Sequence, residues 1–277
     1  MTGATGFIGR HVAAALDGRG VDVVAMVRAG RDVMPLPRRI QVRAMDLEQC
    51  GEHPFDRLGR PDTLIHLAWG GLQDFDAHAH LDGELPRQRR FLEACVRGGL
   101  EHLLVTGTCL EYGMREGELH EDMHVAPVTA YARAKNDLRE ELMRWCEDLG
   151  IGLTWLRVFY LYGAGQARSS LYAQFNAAVE RGDERFPMSP GDQVRDFLPV
   201  QRAAQLIAEL AMSCKDAGVV NLCSGTPVTV LDLVRQWLDE RQSNMVLDTG
   251  RYPYPAYEPF AFWGSRRKLD RLLATTC

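Results

Sequence analysis

Membrane-spanning runs, a secretion signal, paired cysteines and clustered basic residues are all missing from this sequence. No stretch approaches the roughly 18 apolar residues that a bilayer crossing needs, and no basic start leads into an apolar run. A cytoplasmic protein is therefore expected. The seven cysteines, at 50, 95, 109, 146, 214, 223 and 277, are odd in number and form no C-x-x-C pair, so they read as reduced thiols, mostly buried. The net charge of −5 and the lack of a basic tail argue against a nucleic-acid partner, which would need clustered Lys and Arg. Repeats and low-complexity tracts are absent as well. The most telling shortage is at the start: MTGATGFIGR puts a glycine loop after two residues, where a buried strand should precede it.

What is present is an alternation. With 277 residues and 46% hydrophobic content the chain can bury a large core, in one sizeable domain or two fused lobes. Residues 7–19 read as a helix, and VDVVAMV (21–27) as a strand buried on both faces. Further strands are expected at 40–45, 62–68, 102–108 and 151–159, with helices at 85–99 and 129–150 between them. Strand and helix in turn imply an α/β fold: a Rossmann-type, doubly wound parallel sheet. From about residue 160 the rhythm loosens. We therefore expect a dinucleotide-binding domain over 1–158, with part of 193–225 packed on it, and a smaller substrate lobe mainly over 159–277.

Gly3, Gly6 and Gly9 have the spacing G-x-x-G-x-x-G, a relative of the dinucleotide fingerprint. The first permits the turn, the second lets a pyrophosphate approach the backbone, and the third allows close helix packing. The N–H groups of a helix starting near Phe7 and Ile8 would hold the phosphates. Arg28 follows the second strand, where an acidic residue usually meets the NAD ribose. With Arg31 nearby it suits a 2′-phosphate, so NADP(H) is favoured and NAD(H) remains possible, a solvated surface Arg being the alternative. Asp46 either meets the adenine amino group or caps the next helix. Leu47 and Ala68 complete the expected cofactor contacts.

TAYARAKND places Tyr131 and Lys135 four residues apart, on one helix face, where an ammonium can lower the pKa of a phenol. Thr108 ends a strand at the carboxyl edge of the sheet and would hydrogen-bond a reacting oxygen. Glycine loop, HLA (66–68), Thr108 with Tyr112-Gly113, and Tyr131 with Lys135 occur in an order that resembles the extended short-chain dehydrogenase/reductases, the NAD-dependent epimerase/dehydratase family acting on nucleotide sugars. The resemblance implies that Tyr131 exchanges the proton, Lys135 binds the nicotinamide ribose, and Thr108 positions the substrate oxygen. It also implies substrate contacts from Cys109, Tyr160, Ser169, Ser170 and Arg195, the last pairing with the diphosphate, and a homodimer through 85–99 and 129–150. Cys109 reads mainly as buried packing, and Ser169 and Ser170 equally as helix caps.

Members that dehydrate the sugar carry Asp and Glu after the catalytic Thr. Here Cys109 and Leu110 stand there, which disfavours elimination. Bifunctional epimerase-reductases place a Cys two residues before Tyr-Gly, where this chain has Leu110. TGTCLEYG with YPYPAYEPFAFWG (252–264) looks closest to reductases of nucleotide-activated 4-keto-6-deoxy sugars. A C4 epimerase and a catalytically silent nucleotide sensor are the alternatives. HEDMH (120–124) matches a zinc pattern but falls in an expected loop, so no metal is assigned. HAH (78–80) reads as a solvated loop, and the aromatic run 252–263 either stacks a nucleobase or packs on the small lobe. Because a strand usually has about 5–6 residues, about five more are expected before Met1 in the working protein.

Overall fold

A computed structural model describes residues 1–28, 36–49, 51, 53–213, 216–254 and 257–275. In chain order its first half runs α1 (Phe7–Asp17), β1 (Val24–Val27), β2 (Gln41–Ala44), α2 (Pro54–Leu58), β3 (Thr63–His66), α3 (Leu85–Arg97), β4 (His102–Thr106), β5 (Gly117–Leu119), α4 (Ala130–Leu149) and β6 (Gly152–Val158). The second half is β7 (Tyr160–Tyr162), α5 (Leu171–Arg181), β8 (Arg185–Pro187), β9 (Val194–Pro199), α6 (Val200–Ser213), β10 (Gly218–Leu222), β11 (Pro227–Thr229), α7 (Val230–Glu240), β12 (Val246–Asp248), β13 (Phe262–Gly264) and α8 (Arg267–Ala274). Among the described residues no helix is long and apolar enough to cross a membrane.

Strands β10, β6, β4 and β3 form a parallel sheet in that order, and β1 pairs with β2 beside it. Met1 and Thr2 stand between the two groups. Thr2 N–H donates to Ile65 O at 2.9 Å, and Met26 N–H to Met1 O at 2.9 Å, so these two residues occupy the end of the central strand position.

Period-two alternation divides the core between the two faces of the sheet. Ile65, Leu104, Leu156 and Val220 point to one face, where Val12, Ala13 and Leu16 of α1 meet Ala203, Ala204 and Ile207 of α6. Small residues on both helices let them approach closely. Leu64, Leu103, Val105, Leu153 and Trp155 point to the other face, under Phe91, Leu92 and Cys95 of α3 and Ala134, Leu138 and Leu142 of α4. Burying β4 on both faces is why it reads as an unbroken apolar run: all five of its residues are buried. A separate core of Phe175, Phe186, Leu233, Val234 and Trp237 sits between α5, α7 and β8, in the region expected to carry the substrate.

Three local readings need correction. The strand read over 21–27 begins only at Val24, because the helix unwinds through a turn over 18–20 and Val21 N–H is still tied back to Leu16 O. The helix read over 85–99 is preceded by a wide π-helical turn, His80–Glu84. His80 is therefore not solvated: it is 1% exposed, accepts from Trp69 Nε1–H at 3.1 Å, and its Nε2 lies 2.9 Å from Asp74 O. Cys95, Cys109, Cys146 and Cys223 are free and buried, while Cys50, Cys214 and Cys277 lie outside the described residues.

Candidate active site

Gly3 turns the chain through a positive φ of +67°, and a Cβ there would stand 2.8 Å from the Leu67 carbonyl carbon. Only glycine permits both the angle and the approach. At Gly9 a Cβ would lie 2.0 Å from Gly3 O, so α1 packs directly on the loop. Gly6, the N-cap of α1, offers no side chain to the first N–H groups of the helix, leaving them for an anion. They border a cavity of about 370 Å³ that is also lined by Gly3, Gly6, Phe7, Ile8, Gly9, Arg28, Asp46, Leu47 and Ala68. The loop residues expected to hold a dinucleotide thus share one cleft, and its glycine cradle fits a pyrophosphate. Arg28 is exposed at its rim, and Arg31 lies outside the described residues. Asp46 accepts from Glu48 N–H at 2.9 Å, capping a turn rather than the next helix, which starts at Pro54.

Trp69, Glu84, Arg87 and Gln88 line the same cleft and were not legible in the sequence. They belong to a buried polar chain. Thr2 Oγ1 lies 3.0 Å from His66 Nδ1, His66 Nε2 lies 2.8 Å from Gln88 Oε1, and Gln88 donates to Glu84 at 3.1 Å. Arg87 pairs with Glu84 and, at 2.8 Å, with Glu48. Burial first, and then the charge of Lys135, pushes His66 down to about 3, so it stays neutral within the chain. The four-residue spacing of Glu84 and Gln88 is the one local trace of this arrangement.

Tyr131 and Lys135 lie on the buried face of α4, whose N-cap Thr129 accepts from Ala132 N–H. The Tyr131 ring stacks on Phe75 (5.1 Å between centroids, 20° between planes) and contacts Trp69 and His80. Its phenol faces the Thr108 side chain. Lys135 Nζ donates to Thr106 O at 2.8 Å and sits 4.0 Å over the Trp69 ring. Trp69 is therefore a wall shared by the cofactor cleft and the Tyr–Lys pair. One expectation changes here. The phenol is not lowered: burial first, then the Glu111 carboxylate and Cys109, hold it well above the ordinary range, with Thr108 acting in the opposite direction. Burial brings the Lys135 amine down to about 7, with Glu111 acting against that loss. For both groups desolvation is the largest cause.

Residues 1–223, which include the glycine loop, Thr108, Tyr131 and Lys135, match one family description. The chain belongs to the NAD dependent epimerase/dehydratase family. It is an enzyme of oxidoreductase type. Similar proteins include a dTDP-6-deoxy-L-talose 4-dehydrogenase (NAD(+)) from Aggregatibacter actinomycetemcomitans, 26% identical over 96% of this chain and 98% of that protein. A dTDP-6-deoxy-L-talose 4-dehydrogenase (NAD(P)(+)) from Kitasatospora kifunensis is 28% identical over 87% of this chain and 78% of that one. Among solved structures, MoeE5 in complex with UDP-glucuronic acid and NAD superposes with a TM-score of 0.80 at 25% identity, over 99% of this chain and 91% of the other.

On the far side of the cleft this epimerase/dehydratase family member departs from expectation. Arg195, expected at a diphosphate, is 2% exposed; its Nη1 donates to Val194 O (2.8 Å) and Phe260 O (2.9 Å), and its Nη2 to Glu258 (2.9 Å). A buried guanidinium needs such partners, and Glu258 supplies the charge. Tyr160 packs between Phe197 and Phe262, with its phenol against Glu258 and buried. Cys109 is 5% exposed and its thiol is pushed up by burial, as a packing residue would be. Ser170 caps α5, accepting from Ala173 N–H at 3.3 Å, while Ser169 is exposed beside it. Within the aromatic run Phe262 is buried in β13, which pairs with β5, whereas Tyr252 and Phe260 are exposed.

Proposed function

We propose that this enzyme reduces the C4 ketone of a nucleotide-activated 4-keto-6-deoxy sugar, using NADPH in preference to NADH. The observation that supports this reading is the placing of Tyr131 and Lys135 on one buried face of α4 against Trp69, a side chain that also lines the glycine-loop cleft. The relatives support it through their names: oxidation at C4 of a 6-deoxy sugar and reduction of the corresponding ketone are one step run in opposite directions. A bound nicotinamide supplies the hydride that the ketone carbon receives.

The chain's own residues handle the oxygen. Thr108 holds it by a hydrogen bond, and Tyr131 delivers a proton to it as its double bond opens to an alcohol. Held above its ordinary range, the phenol is protonated at neutral pH, the form a general acid needs, and is a weaker acid than a free tyrosine. Lys135, charged below about pH 7, steadies the phenolate left behind. Elimination of water would need a second acid and base next to Thr108. The residues there are Cys109, whose buried thiol does not ionise, and Leu110.

The decisive assay incubates the protein with such a ketosugar and follows NADPH and NADH absorbance. Stoichiometric consumption supports reduction; conversion of a C4 epimer without added cofactor would replace it with epimerisation. The cofactor preference rests on Arg28 at the cleft rim. Arg28→Asp is expected to shift the NADPH to NADH ratio of kcat/KM by about 10- to 100-fold toward NADH, the equivalent of one charge-assisted bond. An unchanged ratio would remove Arg28 from the 2′-phosphate site.

A further inference from the structure

Next to Thr108 the structure buries a carboxylate. Glu111 is 0% exposed, at the end of a short 3-10 turn, Cys109–Tyr112. Its Oε1 accepts from the Thr108 N–H at 2.9 Å and from Trp155 Nε1–H at 3.0 Å, and its Oε2 accepts from Arg157 Nε–H at 2.9 Å. Arg139 of α4 reaches to 3.8 Å. Thr108 reciprocates by accepting from Leu110 N–H through its hydroxyl oxygen, so the residue that holds the substrate oxygen is tied to Glu111 at its backbone and to the same turn at its side chain. At Gly107 a Cβ would lie 2.2 Å from Trp155 Nε1 and 2.4 Å from Glu111 Oε1. The exit of β4 is thus shaped around this one carboxylate.

Stability alone does not explain such an arrangement, since well-packed apolar residues usually replace a buried ion network at no loss. We propose that Glu111 is a positioning residue for the reaction, holding the Thr108 backbone in place and supplying the negative charge behind the Tyr131–Lys135 pair. The proposal rests on the roles assigned to those three residues in ketone reduction. Facing the pair are His66 on β3, His80 before α3, and Cys109 and Glu111 on the turn, while Arg157 on β6 and Arg139 on α4 face Glu111 from behind. Of these, Glu111 opposes the loss of charge on Lys135 and also raises Tyr131. Both effects keep protons on the pair, which is the form that donates to a ketone.

Two substitutions of opposite sign test this. Glu111→Gln removes the negative charge at nearly constant shape, and Arg139→Gln removes a positive charge that partly cancels it. Lys135 ionisation is read directly in the full-length protein, from the pH dependence of amine labelling at that residue by mass spectrometry, and kcat and KM for reduction are followed over the same range. In Glu111→Gln the Lys135 midpoint is expected to fall from about 7 by about 1 unit, and the decline of kcat at high pH to move down with it while KM changes little. In Arg139→Gln both should move up. Identical midpoints in all three proteins, or shifts in the same direction, overturn the proposal. Should Glu111→Gln not fold, an unmoved midpoint in Arg139→Gln does so alone. A wild type inactive on ketosugars but with the expected midpoint shifts sinks the assigned reaction and leaves the hold of Glu111 on the pair supported.

Discussion

Tyr131→Phe is expected to lower turnover by about 10²- to 10⁴-fold, the range for a lost general acid, while leaving dinucleotide affinity unchanged. The substitution removes one oxygen and little else. The ring remains held by Phe75, Trp69 and His80, and the backbone N–H of residue 131 still donates to Phe75 O at 2.8 Å. The fold and the Trp69 wall of the cofactor cleft should therefore survive, and the loss should appear in kcat with KM nearly constant. Wild-type reduction should also fall as pH rises through about 7, because Lys135 gives up its charge there while the phenol, held above its ordinary range, stays protonated. Stopped-flow nicotinamide absorbance and a dinucleotide titration by fluorescence separate the two quantities. Turnover that persists in the phenylalanine variant assigns the proton to another group.

Gly9→Ala should strike the other half of the site. The added methyl would meet Gly3 O at 2.0 Å, Gly3 C at 2.7 Å and Ala4 Cα at 2.8 Å, all backbone atoms that no rotamer change can clear. Helix α1 must then retreat from the loop, pulling its N-terminal N–H groups away from the phosphates they are placed to bind. Overpacking of this kind costs about 1–3 kcal/mol, which corresponds to dinucleotide affinity weaker by about 10- to 100-fold. Gly83→Ala provides the control, since a Cβ there meets nothing within 4 Å and the residue has no positive φ. Calorimetric titration of both variants decides the matter. Wild-type affinity in Gly9→Ala would mean that the close packing of helix on loop does not set the binding geometry.

Much of the fold follows from short-range pattern. The apolar run at β4 and the alternation of strand with helix are consequences of burying a parallel sheet on both faces, and that demand is written residue by residue. The glycine spacing at 3, 6 and 9 is similarly local, because the steric needs it meets involve neighbours within one turn and its exit. Even so, His80 read as solvated until the wide turn before α3 carried it under Trp69.

Sequence alone determined the α/β class of the sheet, the glycine turn that starts α1 and the placing of Tyr131 and Lys135 on one face of α4, since each follows from short-range pattern. Tertiary structure decided the rest. It joined Glu111 to Trp155 and Arg157 across 44 and 46 positions, and Arg195 to Glu258 across 63. It also placed phenol and amine where desolvation holds the one up and the other down, in place of the expected mutual stabilisation. The reason is physical: a charge feels the dielectric and the partners that the folded chain brings around it, and neither is encoded in the spacing of its neighbours along the chain.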